Sequence, residues 1–348
     1  MPNSRFPIPL FPIPLFPISN SMKAQVIDEP GTPKTLRLAE MPQPEPGEGE
    51  VRVKVYAAGL NPADYKFMKR GFKSWSYPFV PGLDVAGVID EIGSGVNDWK
   101  FGDAVYYHGN LSKPGGFAEE AVTTARTLAR LPENLSFVEA AALPCAGWTA
   151  YQALHRKIHI EEGQTILVQG GAGGVGGFAL QLAALAGVKA IATCSQRHFE
   201  WVRKLGAIAA IDYNTENIGD RVREITEGRG VDAIVDGVSS ATATAGLDLL
   251  AFGGGIVCVS GLPDFSKFQS FNRALSVHDI ALGGAYFAGD TKAQDELARI
   301  GREFGNIAGE KQIDPMVAEV ISLEEIPEGL IKLSQRHVRG KIVASIKQ

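Results

Sequence analysis

One stretch limits what this chain can fold into more than any other. The apolar run Thr165-Ile166-Leu167-Val168 leads into Gly171-Ala172-Gly173-Gly174-Val175-Gly176, and apolar residues then recur at Phe178, Ala179, Leu182, Ala183 and Ala186. The first segment predicts a strand and the last an amphipathic helix. In a chain with 40 glycines, the spacing G-x-G-x-x-G alone would describe any flexible turn. Between a strand and a helix it is the setting that binds a pyrophosphate. Gly171 permits a tight turn, Gly173 lets the backbone approach the phosphates, and Gly176 lets helix and strand pack closely, while the helix N-terminus offers free N–H groups. The expectation is a Rossmann unit that holds a dinucleotide through Gly171, Ala172, Gly173, Gly174, Val175 and Gly176.

The end of the second strand selects the cofactor, because a carboxylate there bonds the ribose hydroxyls of NAD and repels a 2′-phosphate. The stretch Thr193-Cys194-Ser195-Gln196-Arg197 has no acid. It offers a hydroxyl and a guanidinium, and Arg binds phosphate in a forked geometry. NADPH is therefore expected, with Arg197 as a solvated residue opening the next helix as the alternative.

Around this unit the pattern alternates. Strand-like runs fall at Thr165 to Val168, Ala190 to Cys194, Ala209 to Asp212, Val231 to Val235 and Ile256 to Ser260, separated by segments long enough for crossover helices. That is the order of a doubly wound parallel sheet in an α/β protein. Before it, Val51, Val53 and Val55 alternate with polar residues, and glycines and prolines punctuate short apolar runs, predicting a small all-β domain that begins near Val51. An Ala-rich helix from Val138 towards His155 joins the two. After Ala281 the alternation is lost: a polar helix from Lys292 to Phe304 and the strand Lys341-Ile342-Val343 suggest a return to the first domain. The expected division is an extension over 1–21, a β-rich domain over 22–143, a Rossmann domain over 144–283 and a returning tail over 284–348.

At 348 residues, two cores are expected. A net charge of −5 provides no basic surplus for nucleic acid or an anionic membrane. Cys145, Cys194 and Cys258 form no close pair, which points to reduced thiols and a cytoplasmic setting. The repeat Phe6-Pro7-Ile8-Pro9-Leu10, copied from Phe11 to Leu15 and begun again at Phe16, cannot be helical or serve as the apolar core of a signal peptide. It reads as a disordered extension, with Met22 as an alternative start and a proline-rich docking tail as the other reading.

With the glycine motif behind a β-rich half, the chain resembles the medium-chain dehydrogenase/reductase superfamily, and within it the zinc-free quinone oxidoreductase branch that includes zeta-crystallin. The resemblance rests on Gly59-Leu60-Asn61-Pro62-Ala63-Asp64, Pro81-Gly82-Leu83-Asp84-Val85-Ala86-Gly87, Gly115-Gly116-Phe117-Ala118-Glu119, Leu143-Pro144-Cys145-Ala146-Gly147-Trp148-Thr149-Ala150-Tyr151 and the glycine loop. It implies a GroES-like β-rich catalytic domain beside the Rossmann domain. The ligand positions of zinc-dependent relatives fall on Asn61, Leu83 and Cys145. Leu cannot donate, and a catalytic zinc needs three protein ligands, so no metal is expected.

Without a Lewis acid, conjugate reduction suits the chain better than alcohol oxidation. Hydride adds to an electron-poor carbon of a quinone or α,β-unsaturated carbonyl, and hydrogen bonds stabilise the enolate. The resemblance places Asn61 and Thr149 near the nicotinamide and its ribose, Ser195, Arg197 and Tyr213 near the 2′-phosphoribose, and Val259-Ser260-Gly261 along the cofactor's far side. It also implies a homodimer joined through Rossmann edge strands, for which Ile280-Ala281-Leu282 is the candidate. Where the branch often has a Tyr, five positions after the Asn, this chain has Lys66. Tyr65, Lys66, Tyr106 and His108 are candidate enolate donors or simply cleft and surface residues, and no catalytic acid is singled out. An enoyl-thioester reductase, or a cofactor-binding protein with little turnover, remains as the alternative.

Overall fold

The computed structural model describes residues 21–268, 271–336 and 338–347. The proline-rich repeat lies outside the described residues, except that Ser21, expected to end the extension, instead pairs with Pro42 in the antiparallel strands Ser21–Val26 and Arg37–Pro42.

Two larger sheets follow. In the first, the order is Val317–Ile321, Lys341–Ser345, Glu50–Gly59, Asp84–Ile92, Ala104–His108 and Ala129–Arg130, with Glu120–Thr124 paired to Glu50–Gly59. The chain's last strand is therefore part of the first domain's sheet, antiparallel to Glu50–Gly59 with Val343 opposite Gly59. The first domain is not all β. Asn61 precedes the helix Pro62–Arg70, and its backbone N–H donates to Asp64 Oδ2 at 2.7 Å. Pro at the first helical position and an acid reaching back to the N-cap are start signals present in Asn61-Pro62-Ala63-Asp64.

The second sheet is parallel throughout, in the order Ala207–Asp212, Lys189–Cys194, Thr165–Gln169, Val231–Asp236, Leu250–Cys258 and Ser276–Asp279. Its direction of winding reverses between Thr165–Gln169 and Val231–Asp236, the crevice where ligands of such sheets bind. Alternate residues face opposite sides and both sides are covered. Ile166, Val168, Ala190 and Ala192 join the core shared with the first domain, whereas Leu167, Ile191, Ile234 and Ile256 pack on the other face against Val222, Ala243 and Leu247. Burial on both faces is why these strands are continuously apolar.

The outer strand corrects one expectation. Ile280-Ala281-Leu282 is not an edge strand: Ile280 and Leu282 are buried, and the edge is Ser276–Asp279 just upstream. The apolar residues of that run face the core because the chain has already turned back towards the first domain. The helix Thr291–Gly309 then crosses the junction on Leu297, Ile300, Phe304 and Ala308, an i, i+3, i+7, i+11 face. No helix among the described residues is long and apolar enough to cross a membrane.

Candidate functional site

The glycine loop sits at the reversal point, tied by the Gly171 N–H to Thr193 O at 2.9 Å and by the Gly170 N–H to Thr193 Oγ1 at 3.1 Å. The left-handed residue of the turn is Gly170, φ 78°, one position before Gly171. Gly171 is needed instead for close approach, since a Cβ there would lie 2.8 Å from Ala192 Cβ. At Gly176 a Cβ would meet Gly170 O at 2.3 Å, so helix and loop touch through backbone alone. Gly173 differs. A Cβ there would touch only Gly170 O, at 3.5 Å, and the residue is exposed. It caps the helix Gly174–Leu185, whose first-turn N–H groups have no intrahelical acceptor. An open cradle lined by free donors fits a pyrophosphate.

At the end of the second strand, Ser195 Oγ and Tyr213 Oη lie 2.9 Å apart. Arg197 is exposed and its Nε donates to His198 Nε2 at 3.2 Å. Burial, then the charges of Arg197 and Arg339, hold the His198 imidazole below its usual range. Arg339, whose guanidinium lies 5.2 Å from the Trp201 ring, thus joins this cationic corner from the far end of the chain. The nearby carboxylate, Asp212, is occupied by Asn214 N and Nδ2 and by Thr215 Oγ1, at 2.8 to 3.3 Å. Across the crevice, Val259 N–H donates to Asp236 O at 2.8 Å and Ser260 Oγ to Gly237 O at 2.9 Å. Gly261 takes φ 153° where a Cβ would strike Ser240 Oγ.

The other end of the crevice is a buried polar cluster. Asn61, Asp64, Asp84, His108, Thr149 and Lys341 are all buried. Asn61 Nδ2 donates to Asp84 Oδ2 at 2.8 Å, and Lys341 Nζ donates to Asn61 Oδ1, to Leu60 O at 3.2 Å and to Asp84 Oδ2 at 3.3 Å. Asp84 Oδ1 accepts from the Cys145 N–H at 2.8 Å. Asp64 accepts from the Asn61 and Leu83 N–H groups, yet burial and the neighbouring Asp84 raise its pKa to about 8. Beside it lies a narrow recess lined by Phe67, Trp75, Phe79, Leu83 and Leu111. Phe72, stacked at 5.7 Å on Phe287 of the short helix Gly284–Phe287, stands next to Trp75.

The candidate donors separate. Tyr106 is fully buried and its hydroxyl donates to Gly301 O, so it belongs to the core under the long helix rather than to the cleft. Lys66 is exposed and Tyr65 half-buried on the helix Pro62–Arg70. His108 lies inside the cluster with Nδ1 unpartnered, and burial holds it below the usual histidine range.

Asp84, His108 and Cys145 place ligand atoms within 4.8 Å of one another. They do not fit a divalent cation. Asp84 is already shared among Asn61, Cys145 and the Lys341 ammonium, and burial followed by the Asp84 charge pushes the Cys145 thiol well up, away from the thiolate a metal needs. Sequence reasoning did not single out Asp84, Asp64, Lys341 or Arg339. The last two lie about 280 residues from Asn61, and nothing local marks them.

Comparison with known proteins bears on this geometry. Residues 47–133 match the family model described as alcohol dehydrogenase GroES-like domain, and residues 174–300 the one described as zinc-binding dehydrogenase. A quinone oxidoreductase-like protein 2 homolog from Nematostella vectensis is 33% identical over 306 residues, 87% of this chain and 83% of the relative. A 2-methylene-furan-3-one reductase from Solanum lycopersicum is 42% identical over 214 residues, 58% of this chain and 55% of the relative. The structure of the quinone oxidoreductase from Coxiella burnetii superposes with a TM-score of 0.82 at 30% identity, covering 94% of this chain and 100% of that one.

Proposed function

The chain belongs to the medium-chain dehydrogenase/reductase superfamily as a quinone oxidoreductase-like oxidoreductase, and we propose that it reduces quinones or α,β-unsaturated carbonyls with NADPH and without zinc. The observation that carries this reading is the Asn61–Asp84–Lys341 cluster, in which the amide at one ligand position of zinc-dependent relatives is held between a carboxylate and a fixed ammonium. The name of the Solanum relative, a reductase of an exocyclic enone, supports the substrate class.

Gly171 to Gly176 would hold the diphosphate, Ser195, Arg197 and Tyr213 the 2′-phosphate, Val259 the far side of the cofactor, and Asn61 and Thr149 the nicotinamide end. NADPH would supply a hydride to an electron-poor carbon. The chain's own part is to bind, orient and keep water away. Trp75 and Phe79 give the site an apolar wall beside Asp64, which suits a flat, weakly polar substrate. As hydride arrives, electrons move to the carbonyl oxygen, and one proton from solvent or a side chain completes the reduced product. Three free, well-separated cysteines suit the reducing cytoplasm, and the Ser276–Asp279 edge suits a homodimer.

Steady-state oxidation of NADPH against a panel of quinones, enals and enoyl thioesters tests the reading. Turnover with quinones or enals supports it. Preference for the thioesters, or no turnover with any acceptor, overturns it.

A further inference from the structure

Lys341 touches both halves of the site. Its backbone N–H donates to Met316 O at 2.9 Å, and the N–H of its neighbour Gly340 reaches Ala172 O in the glycine loop at 3.2 Å. Its stem passes Gly174, where a Cβ would lie 3.3 Å from Lys341 Cδ. The ammonium then enters the first domain, where Leu60 O, Asn61 Oδ1 and Asp84 Oδ2 receive it. Three acceptors match the three protons of a lysine ammonium, so none is left to donate to a substrate.

The consequence falls on Asn61. Its amide oxygen faces a cation and its amide nitrogen faces the Asp84 carboxylate at 2.8 Å. Flipping the amide would set NH₂ against the ammonium and oxygen against the carboxylate, so the cluster admits one orientation. A buried ion pair is weak evidence for stability, because desolvation offsets the attraction; a role in specifying one arrangement is the better account of its presence.

We propose that Lys341 is a positioning residue for hydride transfer: it fixes the Asn61 amide and ties it to the glycine loop, so that the two ends of the cofactor site keep one separation. The proposal rests on the reading that the glycine loop holds NADPH. Lys341 acts through Asn61 and contacts no reacting atom.

The test compares the full-length protein with Lys341→Met and with the double variant Lys341→Met/Asp84→Asn. The double variant removes both charges and so leaves no unpaired carboxylate to unfold the protein. For the double variant, kcat with the best quinone falls on the order of a hundredfold, the penalty of a misplaced reacting group. The Kd for NADPH, read by fluorescence titration, stays within about threefold, since the loop is intact. The primary isotope effect with C4-deuterated NADPH rises, because hydride transfer now limits turnover; a merely structural role leaves it unchanged. A folded double variant with wild-type kcat and isotope effect overturns the proposal. If the wild type reduces no acceptor, the functional reading fails by itself. The positioning role is then read from crystal structures of the wild type and the double variant, where an unchanged Asn61 amide overturns it and a rotated one supports it.

Discussion

Ser195 and Tyr213 follow the ends of two adjacent strands, and their hydroxyls lie 2.9 Å apart. The cause is register. Cys194 and Asp212 are paired in the parallel ladder, so the residues that follow them emerge side by side. Two hydroxyls and the guanidiniums of Arg197 and Arg339 then border one corner, while the nearby Asp212 is already hydrogen-bonded to Asn214 and Thr215.

That corner predicts cofactor choice. Replacing Arg197 with Ala should weaken NADPH by about tenfold at low salt and leave NADH nearly unchanged, the lower end of a charge-assisted contact because the side chain is exposed and screened. Ser195→Asp should penalise NADPH through like-charge repulsion. Titration of both cofactors checks this, and equal losses in Arg197→Ala would assign Arg197 to the fold alone.

The glycines of the loop should separate binding from folding. In Gly176→Ala the new methyl lies 2.3 Å from Gly170 O, so the melting temperature and NADPH affinity should both fall. Gly173→Ala adds a methyl with only ordinary protein contact, at 3.5 Å. It should melt like the wild type while losing NADPH affinity, because the methyl occupies the cradle. Calorimetry with and without cofactor distinguishes the two.

Metal analysis addresses the buried cluster. With Asp84 bound to Lys341, Asn61 and Cys145, purified protein should carry well under one zinc per chain, and chelators should leave activity unchanged. Stoichiometric zinc lost together with activity would show that Asp84, His108 and Cys145 rearrange to bind it.

Asp64 should leave a mark on stability. Its pKa rises from 3.8 to about 8 on folding, chiefly through burial and then through Asp84. Between those values the folded state holds a proton that the unfolded state has released, so this group's contribution falls as pH rises from about 4 to about 8 and is level above. The Asp64→Asn variant should lack that component. Because Asn mimics the protonated carboxyl, melting temperatures of the two proteins should lie closest near pH 5 and separate towards pH 8 as the wild type loses stability, and parallel curves would refute the assignment.

Assembly follows from the sheet edge. Ser276–Asp279 pairs with Leu250–Cys258 on one side and with no other strand among the described residues, and such an edge invites a second copy. Light scattering at micromolar concentration should give the mass of a dimer, and a stable monomer would rule this out.

The sequence by itself determined the parts of this protein that are local. Strand, glycine turn and helix from Thr165 to Ala186 were legible because each carries its own periodicity and backbone requirement. The missing acid after Cys194 was legible because that position follows a strand by a constant offset. Local reading failed where the reason lay elsewhere in the chain. The run Ile280-Ala281-Leu282 looks like a strand, but its apolar residues are buried because the chain turns back onto the first domain. Tyr106 looks like a cleft donor until the helix Thr291–Gly309 places Gly301 O on its hydroxyl. The helix start at Asn61 carried a readable cap and was missed beside the strand pattern that precedes it. Only the tertiary structure decided the buried cluster. Burying an ammonium is costly unless acceptors converge on it, and those acceptors, at Leu60, Asn61 and Asp84, come from the far end of the chain. Long-range pairing of the last strand with Glu50–Gly59 brings Lys341 to them, and no residue near Lys341 in sequence records that it does.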